Sequence, residues 1–126
     1  VILVGGMSWA TPEAERIVPL VRAALSRGVL VGAICNAASF LAAHGFLNAA
    51  EHTGNTLEML REWGGANYTG DGLYRVRQAV VDGKIVTANG SGYVEVAREC
   101  LLALEADTPE QIAASYACNK HGFYRE

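Results

Sequence analysis

The sequence is poor in the features that most readily assign a function. No run of Lys or Arg stands out and the formal net charge is −3, which argues against nucleic acid or an anionic membrane surface as the main partner. No apolar stretch reaches bilayer-spanning length, so no membrane partner is expected. Neither GxxxxGKS/T nor GxGxxG occurs, and no nucleotide cofactor is expected. There is no CxxC and no Cys/His cluster at metal-ligand spacing, so no metal is expected either. Three cysteines are an odd count without framework spacing, the mark of reduced thiols and a cytoplasmic setting rather than a disulfide scaffold. No repeat, linker or low-complexity segment divides the chain, and residues 1–126 read as one domain.

What remains is a chain able to build a core. Its 126 residues are 51% hydrophobic and 18% charged, too apolar for disorder. A domain of this size buries roughly two-thirds of its unfolded surface. Val1-Ile2-Leu3-Val4 is an apolar run ending at Gly5-Gly6, the pattern of a buried parallel strand entering a tight loop. Nothing precedes it, and a core strand at a terminus leaves a sheet edge uncovered, so upstream sequence is expected to be missing. Thr11-Pro12-Glu13 supplies a cap, a first-turn proline and a first-turn acid. A helical pattern runs to Ser26, with Ile17, Leu20, Val21, Ala24 and Leu25 on one face. Pro19 is placed to split or kink it, and Gly28 ends it. Val29 to Ile34 is a second buried strand, so residues 1–34 read as βαβ with a right-handed crossover.

Asn36 to Ala43 predicts a helix that is apolar nearly all round. Thr56 to Trp63 predicts another, with Leu57, Leu60 and Trp63 inward, before a polar, glycine-rich loop over 64–72. Ala79-Val80-Val81 and Ile85-Val86-Thr87 flank Asp82-Gly83, a hairpin signal. Tyr93, Val94, Val96, Ala97, Cys100, Leu101 and Leu104 form one helical stripe, and Thr108-Pro109-Glu110 caps a last helix through about Cys118. Cys100 and Cys118 fall on apolar helix faces and read as packing residues.

The informative stretch is Gly32-Ala33-Ile34-Cys35-Asn36-Ala37-Ala38. An apolar strand stops at a cysteine and a small-residue helix begins directly behind it. This is the local shape of a nucleophile elbow, in which small flanking residues, here Ala33 and Ala37, avoid collision on a tight turn. Such a turn lifts the sulfur out of the sheet and sets it at a helix N-terminus, where partial positive charge favours thiolate over thiol. Unpaired backbone N–H groups there, such as that of Asn36, can stabilise an oxyanion. A buried structural cysteine is the competing reading.

Val-Gly-Ala-Ile-Cys (31–35), Phe40-Leu41-Ala42, Gly45-Phe46-Leu47-Asn48 and His52-Thr53-Gly54-Asn55, with the opening Leu3-Val4-Gly5-Gly6 and the later Thr87-Ala88-Asn89-Gly90…Glu95, resemble the ThiJ/PfpI family of class I glutamine amidotransferase-like proteins. The resemblance implies a flavodoxin-like three-layer α/β sandwich with a mainly parallel central sheet, lacking its N-terminal βα unit in this chain. It implies a homodimer, with Cys35 as the reactive residue. His52 falls where many members carry an active-site histidine, and Gly5 and Gly6 map to the family's oxyanion loop. Three departures narrow the activity, the first being that the acid which members carry in the opening βα unit, hydrogen-bonded to the cysteine, is not in this chain. Asn36 stands where peptidase-like members have histidine, and His121-Gly122-Phe123 does not supply the His-x-Glu pair of a glutamine amidotransferase.

His52 is therefore the candidate general base or proton shuttle, since imidazole titrates near neutral pH. His44 reads as structural in the last turn of its helix, and Glu95 as an acid favoured early in a helix. The expectation is a cofactor-free cysteine enzyme acting on a small-molecule electrophile such as a reactive carbonyl. The alternatives are a cysteine redox sensor without turnover and a structural subunit that has lost chemistry.

Overall fold

The computed structural model describes residues 1–124. The opening apolar run forms β1 over Ile2–Leu3, shorter than the four residues its composition suggests. Two 3-10 turns, Ser8–Ala10 and Pro12–Ile17, lead into α1, Val18–Ser26. Pro19 sits in the first turn of α1, where its missing N–H costs no hydrogen bond. The proline therefore starts the α-helix, and the helical pattern is split, as expected, into a 3-10 segment and the α-helix that follows it.

β2, Val31–Ile34, lies parallel to β1 in the register Ile2↔Gly32 and Leu3↔Ala33. It runs directly into α2, Asn36–Ala43. α3, Leu57–Gly64, begins one residue after Thr56, whose side chain accepts from the Met59 N–H and caps it. β3, Ala79–Asp82, and β4, Ile85–Ala88, form the predicted hairpin, pairing antiparallel from Ala79↔Ala88 to Asp82↔Ile85. The two linking residues are Gly83 and Lys84, one position later than Asp82-Gly83 suggests, and Gly83 takes the positive φ of 57° that the turn requires. β4 also lies parallel to β2, giving the order β1-β2-β4-β3. This mainly parallel sheet, with helices on both faces, is a flavodoxin-like α/β arrangement.

Alternation along the strands divides the core. Leu3, Val31, Ala33 and Ile85 face α1, α2 and α3, where they meet Val21, Phe40, Leu41, Leu47 and Leu60. Leu30, Val86 and Ala88 face the opposite way, onto Val96 and Cys100 of α4, Tyr93–Ala103. Gly32 lets α4 approach, because a Cβ there would lie 2.8 Å from the Ile2 side chain and 3.2 Å from the Cys100 sulfur. Three sequence expectations shift. Leu20, expected inward, is 49% exposed, since the core-facing stripe of α1 runs through Val21 and Ala24. Only Val96 and Cys100 of the α4 stripe are buried with Glu95, while Tyr93, Leu101 and Leu104 face outward. Cys118 is exposed and does not pack.

α5, Pro109–His121, is capped by Thr108 and continues three residues past Cys118. It rests on α4 through Ile112, through Tyr116 beneath the Arg98 guanidinium 4.4 Å from the ring centre, and through Glu95. Glu95 is more than an acid near a helix start. Its Oε1 accepts from Lys120 Nζ at 2.6 Å and Tyr116 Oη at 3.0 Å while the residue is buried. The Lys120 hydrogen bond holds its carboxyl below the ordinary value of 4.5. Among the described residues no helix is long and apolar enough to cross a membrane.

Two stability measurements check this frame. Leu41 is fully buried, so Leu41→Ala should lower the urea-unfolding free energy by about 2–5 kcal/mol. Glu95 is depressed in the folded state, so its contribution is present above pH 4.5 and is lost as pH falls through the folded value. Glu95→Gln should lower Tm at neutral pH and flatten the acid side of the Tm–pH curve.

Candidate active site

The β2–α2 junction concentrates backbone strain on one reactive side chain. Cys35 sits at φ 61° and ψ −129°; among the described residues only it and Glu105 have positive φ without being glycine. Such a conformation costs on the order of 1–3 kcal/mol and persists only when its surroundings fix it. Here they do. The Cys35 N–H donates to the Ala88 carbonyl at 3.0 Å, and its own carbonyl accepts from the Ala38 N–H at 3.0 Å. Ala33 and Ala37 are fully buried on either side, as the elbow requires. The thiol is half-buried, whereas Cys100 is buried and burial pushes its pKa up.

Glycine backbone walls the sulfur on two sides. A Cβ at Gly5 would come within 3.1 Å of Cys35 Cβ and 3.8 Å of Sγ, and one at Gly90 would come within 3.3 Å of Sγ. Gly6 is open on its outer side. Its carbonyl accepts from Asn36 Nδ2 at 3.0 Å, so the side chain after the cysteine pins the double-glycine loop against α2. Asn36 leads α2, so its N–H has no partner within the helix.

The sulfur's hydrogen-bond partner is Asn55, which the sequence reading did not single out. Asn55 Nδ2 donates to Cys35 Sγ at 3.3 Å, and Asn55 Oδ1 accepts from the Gly90 N–H at 2.8 Å. The second bond fixes which end of the amide faces the sulfur. Nδ2 also lies 3.4 Å from Asn36 Oδ1 and 3.7 Å from Met59 Sδ. One signal in the sequence pointed here: Asn55 immediately precedes the cap residue Thr56, so its polar side chain has no capping task of its own.

The structure does not join His52 to the thiol. His52 is fully buried; its Nδ1 donates to the Ala50 carbonyl at 2.7 Å, and its Nε2 accepts from the Tyr68 hydroxyl at 2.7 Å. With both ring nitrogens engaged, it ties the 48–54 loop to the 68–74 loop, and its ring also meets Tyr74 edge-on. Burial is the main cause that lowers its pKa below 6.5, and the same burial drives the Tyr68 hydroxyl up to about 12. The expected proton shuttle is thus a neutral strut. The reason is the chain's own loop geometry, which brings a hydroxyl and a carbonyl to the imidazole before any substrate could reach it. Glu95 lies in the α4–α5 contact, and no cluster of three or more His, Cys, Asp or Glu that could hold a metal occurs among the described residues.

An α/β fold with a strained cysteine at a strand-to-helix elbow, walled by a double-glycine loop, defines a class of protein. The DJ-1/PfpI family profile matches residues 1–102, and the chain belongs to this family. It is 33% identical over 123 residues to the Bacillus subtilis (strain 168) protein named "Uncharacterized protease YdeA", covering 98% of this chain and 61% of that one. It is 36% identical over 120 residues to "Uncharacterized protease YoaZ" of the same organism, covering 95% and 57%. The chain therefore spans about three-fifths of the length of these curated relatives. Among solved structures it resembles the thiJ/pfpI family protein of Bacillus anthracis, with TM-score 0.89, 35% identity, and coverage of 94% of this chain and 56% of that one. It also resembles the DJ-1 superfamily protein Atu0886 of Agrobacterium tumefaciens, with TM-score 0.81, 39% identity, and coverage of 95% and 65%.

The role of His52 is open to a direct check. Its pKa is lower folded than unfolded, so stability is lost as pH falls below 6.5 towards the folded value. His52→Gln should lower the urea midpoint at neutral pH and remove this slope, while leaving the alkylation rate of Cys35 unchanged. A collapse of that rate in a folded variant would restore the proton-shuttle role.

Proposed function

We propose that this chain carries a cysteine-nucleophile site that acts, without a cofactor, on a small electrophile of the reactive-carbonyl class. One observation supports the reading above the rest: a half-buried cysteine held in a strained elbow with the Asn55 amide donating to its sulfur. A cysteine kept only for packing has no use for a positive φ or for a polar neighbour oriented from its far end.

In this reading the Cys35 sulfur, as thiolate, adds to the carbonyl carbon. A C–S bond forms while the C=O π pair moves onto oxygen, and water supplies the proton that completes the adduct. The N–H groups of Asn36 at the head of α2 and of the Gly5-Gly6 loop are the donors assigned to the developing oxyanion. Asn55 steadies the sulfur before attack. A cleft of about 270 Å³ lined by Thr53, Gly54, Asn55, Tyr74, Arg77 and Asn89 shares with the thiol the residue that donates to its sulfur, Asn55.

The names of the Bacillus subtilis relatives suggest peptide hydrolysis. That chemistry asks for an imidazole beside the thiol, and here Asn36 follows the cysteine while His52 is engaged by Ala50 and Tyr68. Addition to a small carbonyl needs no such base, and it is the reading we favour.

The test uses a Cys118→Ser background, since that exposed thiol would otherwise report as well. Cys35→Ser should abolish both reaction with a small dicarbonyl and rapid alkylation, with the fold intact by circular dichroism. Asn55→Ala removes one hydrogen bond to a charged sulfur and should slow Cys35 alkylation by about tenfold or more. Full dicarbonyl turnover by Cys35→Ser would sink the proposal.

A further inference from the structure

Away from the thiol, the 3-10 turn at residues 8–10, the second half of α2 and the end of α3 enclose a cleft of about 330 Å³. Its walls are unusual for this chain, because both tryptophans of the sequence, Trp9 and Trp63, line it together with Phe40 and His44. Trp9 and Phe40 stack at 4.8 Å between ring centres, tilted by 43°, and Phe40 and His44 at 4.7 Å, tilted by 60°. The indole is locked in place by a 2.7 Å hydrogen bond from Nε1 to the Val4 carbonyl. The charged residues that line the cleft are Glu15 and Glu62; no Lys or Arg does. Glu15 Oε1 already meets a ring nitrogen, His44 Nε2, at 3.2 Å.

We propose that this cleft binds an organic cation, a small alkylated ammonium such as a trimethylammonium head group. Aromatic faces carry the negative end of the ring quadrupole and attract a weakly hydrated cation within about 6 Å of a ring centre. An alkylated ammonium also covers apolar surface that a compact, strongly hydrated ion would leave wet. The two carboxylates add an attraction that a neutral guest of the same shape does not feel; no Lys or Arg lines the cleft, and the one lining side chain able to carry positive charge, His44, faces Glu15 and not Glu62. The volume lies at the small end of ligand cavities, matched to a head group rather than an extended molecule. The cleft is separate from the thiol, since Phe40 and His44 lie five and nine residues past Cys35, about 7 to 14 Å along the helix direction. This proposal does not rest on the cysteine chemistry.

Because both tryptophans line the cleft, intrinsic fluorescence reads it directly. Choline, titrated at low ionic strength, should give a saturable change in tryptophan emission, and its neutral isostere, with carbon in place of nitrogen, should bind more weakly. Glu15→Gln and Glu62→Gln should each weaken choline by roughly twofold to fivefold and leave the isostere unaffected. Trp63→Leu should abolish the choline response still readable through Trp9, with Cys35 alkylation unchanged as proof of an intact fold. Equal responses to choline and its isostere, or no response to choline, would overturn the proposal.

Discussion

The positive φ of Cys35 is the constraint around which this structure is arranged. A β-strand that turns at once into a helix must break its backbone pattern at one residue, and glycine would bear that break most cheaply. Here the break falls on a cysteine. Everything near it accommodates the choice: alanines two residues away on both sides, glycines at 5 and 90 across from the sulfur, and backbone hydrogen bonds to Ala88 and from Ala38 that hold the turn from both ends. The strain is local, and the apolar core on both faces of the sheet is what sustains it.

Around that turn, the polar residues divide into two sets. Asn36 and Asn55 serve the elbow: one anchors the double-glycine loop and the other spans from the sulfur to the Gly90 N–H. His52, Tyr68 and the Ala50 carbonyl form a closed chain of short hydrogen bonds that joins two long loops into a platform beside the sheet. Asn55 stands three residues beyond His52, but its amide is held by the Gly90 N–H and not by the imidazole, so the two sets remain separate.

Much of this was legible in the residues. The βαβ start, the hairpin, the Thr108 cap and the elbow follow from apolar runs, turn residues and capping patterns that act within a few positions, whereas Thr11, read as a cap, makes no side-chain capping bond and Thr56 does. The family resemblance lay in an ordered set of short segments and placed Cys35 correctly at the turn. What stayed hidden depends on contacts between distant segments. A histidine in a loop reads as available chemistry until Tyr68, sixteen residues later, closes on it. Glu95 reads as a first-turn acid until α5 brings Lys120 over it. Leu20 and Cys118 misled because each helix buries a narrower stripe than its apolar content suggests.

Gly32 carries a quieter consequence. It lies three residues before the cysteine, on the strand that leads into the turn, and its missing side chain sets how near Cys100 and the helix bearing it can settle. That helix starts just after Gly90, the residue facing the thiol. A methyl added at position 32 would press on the Cys100 sulfur at 3.2 Å, so the seat of α4 against the sheet is set on the same strand that delivers the elbow.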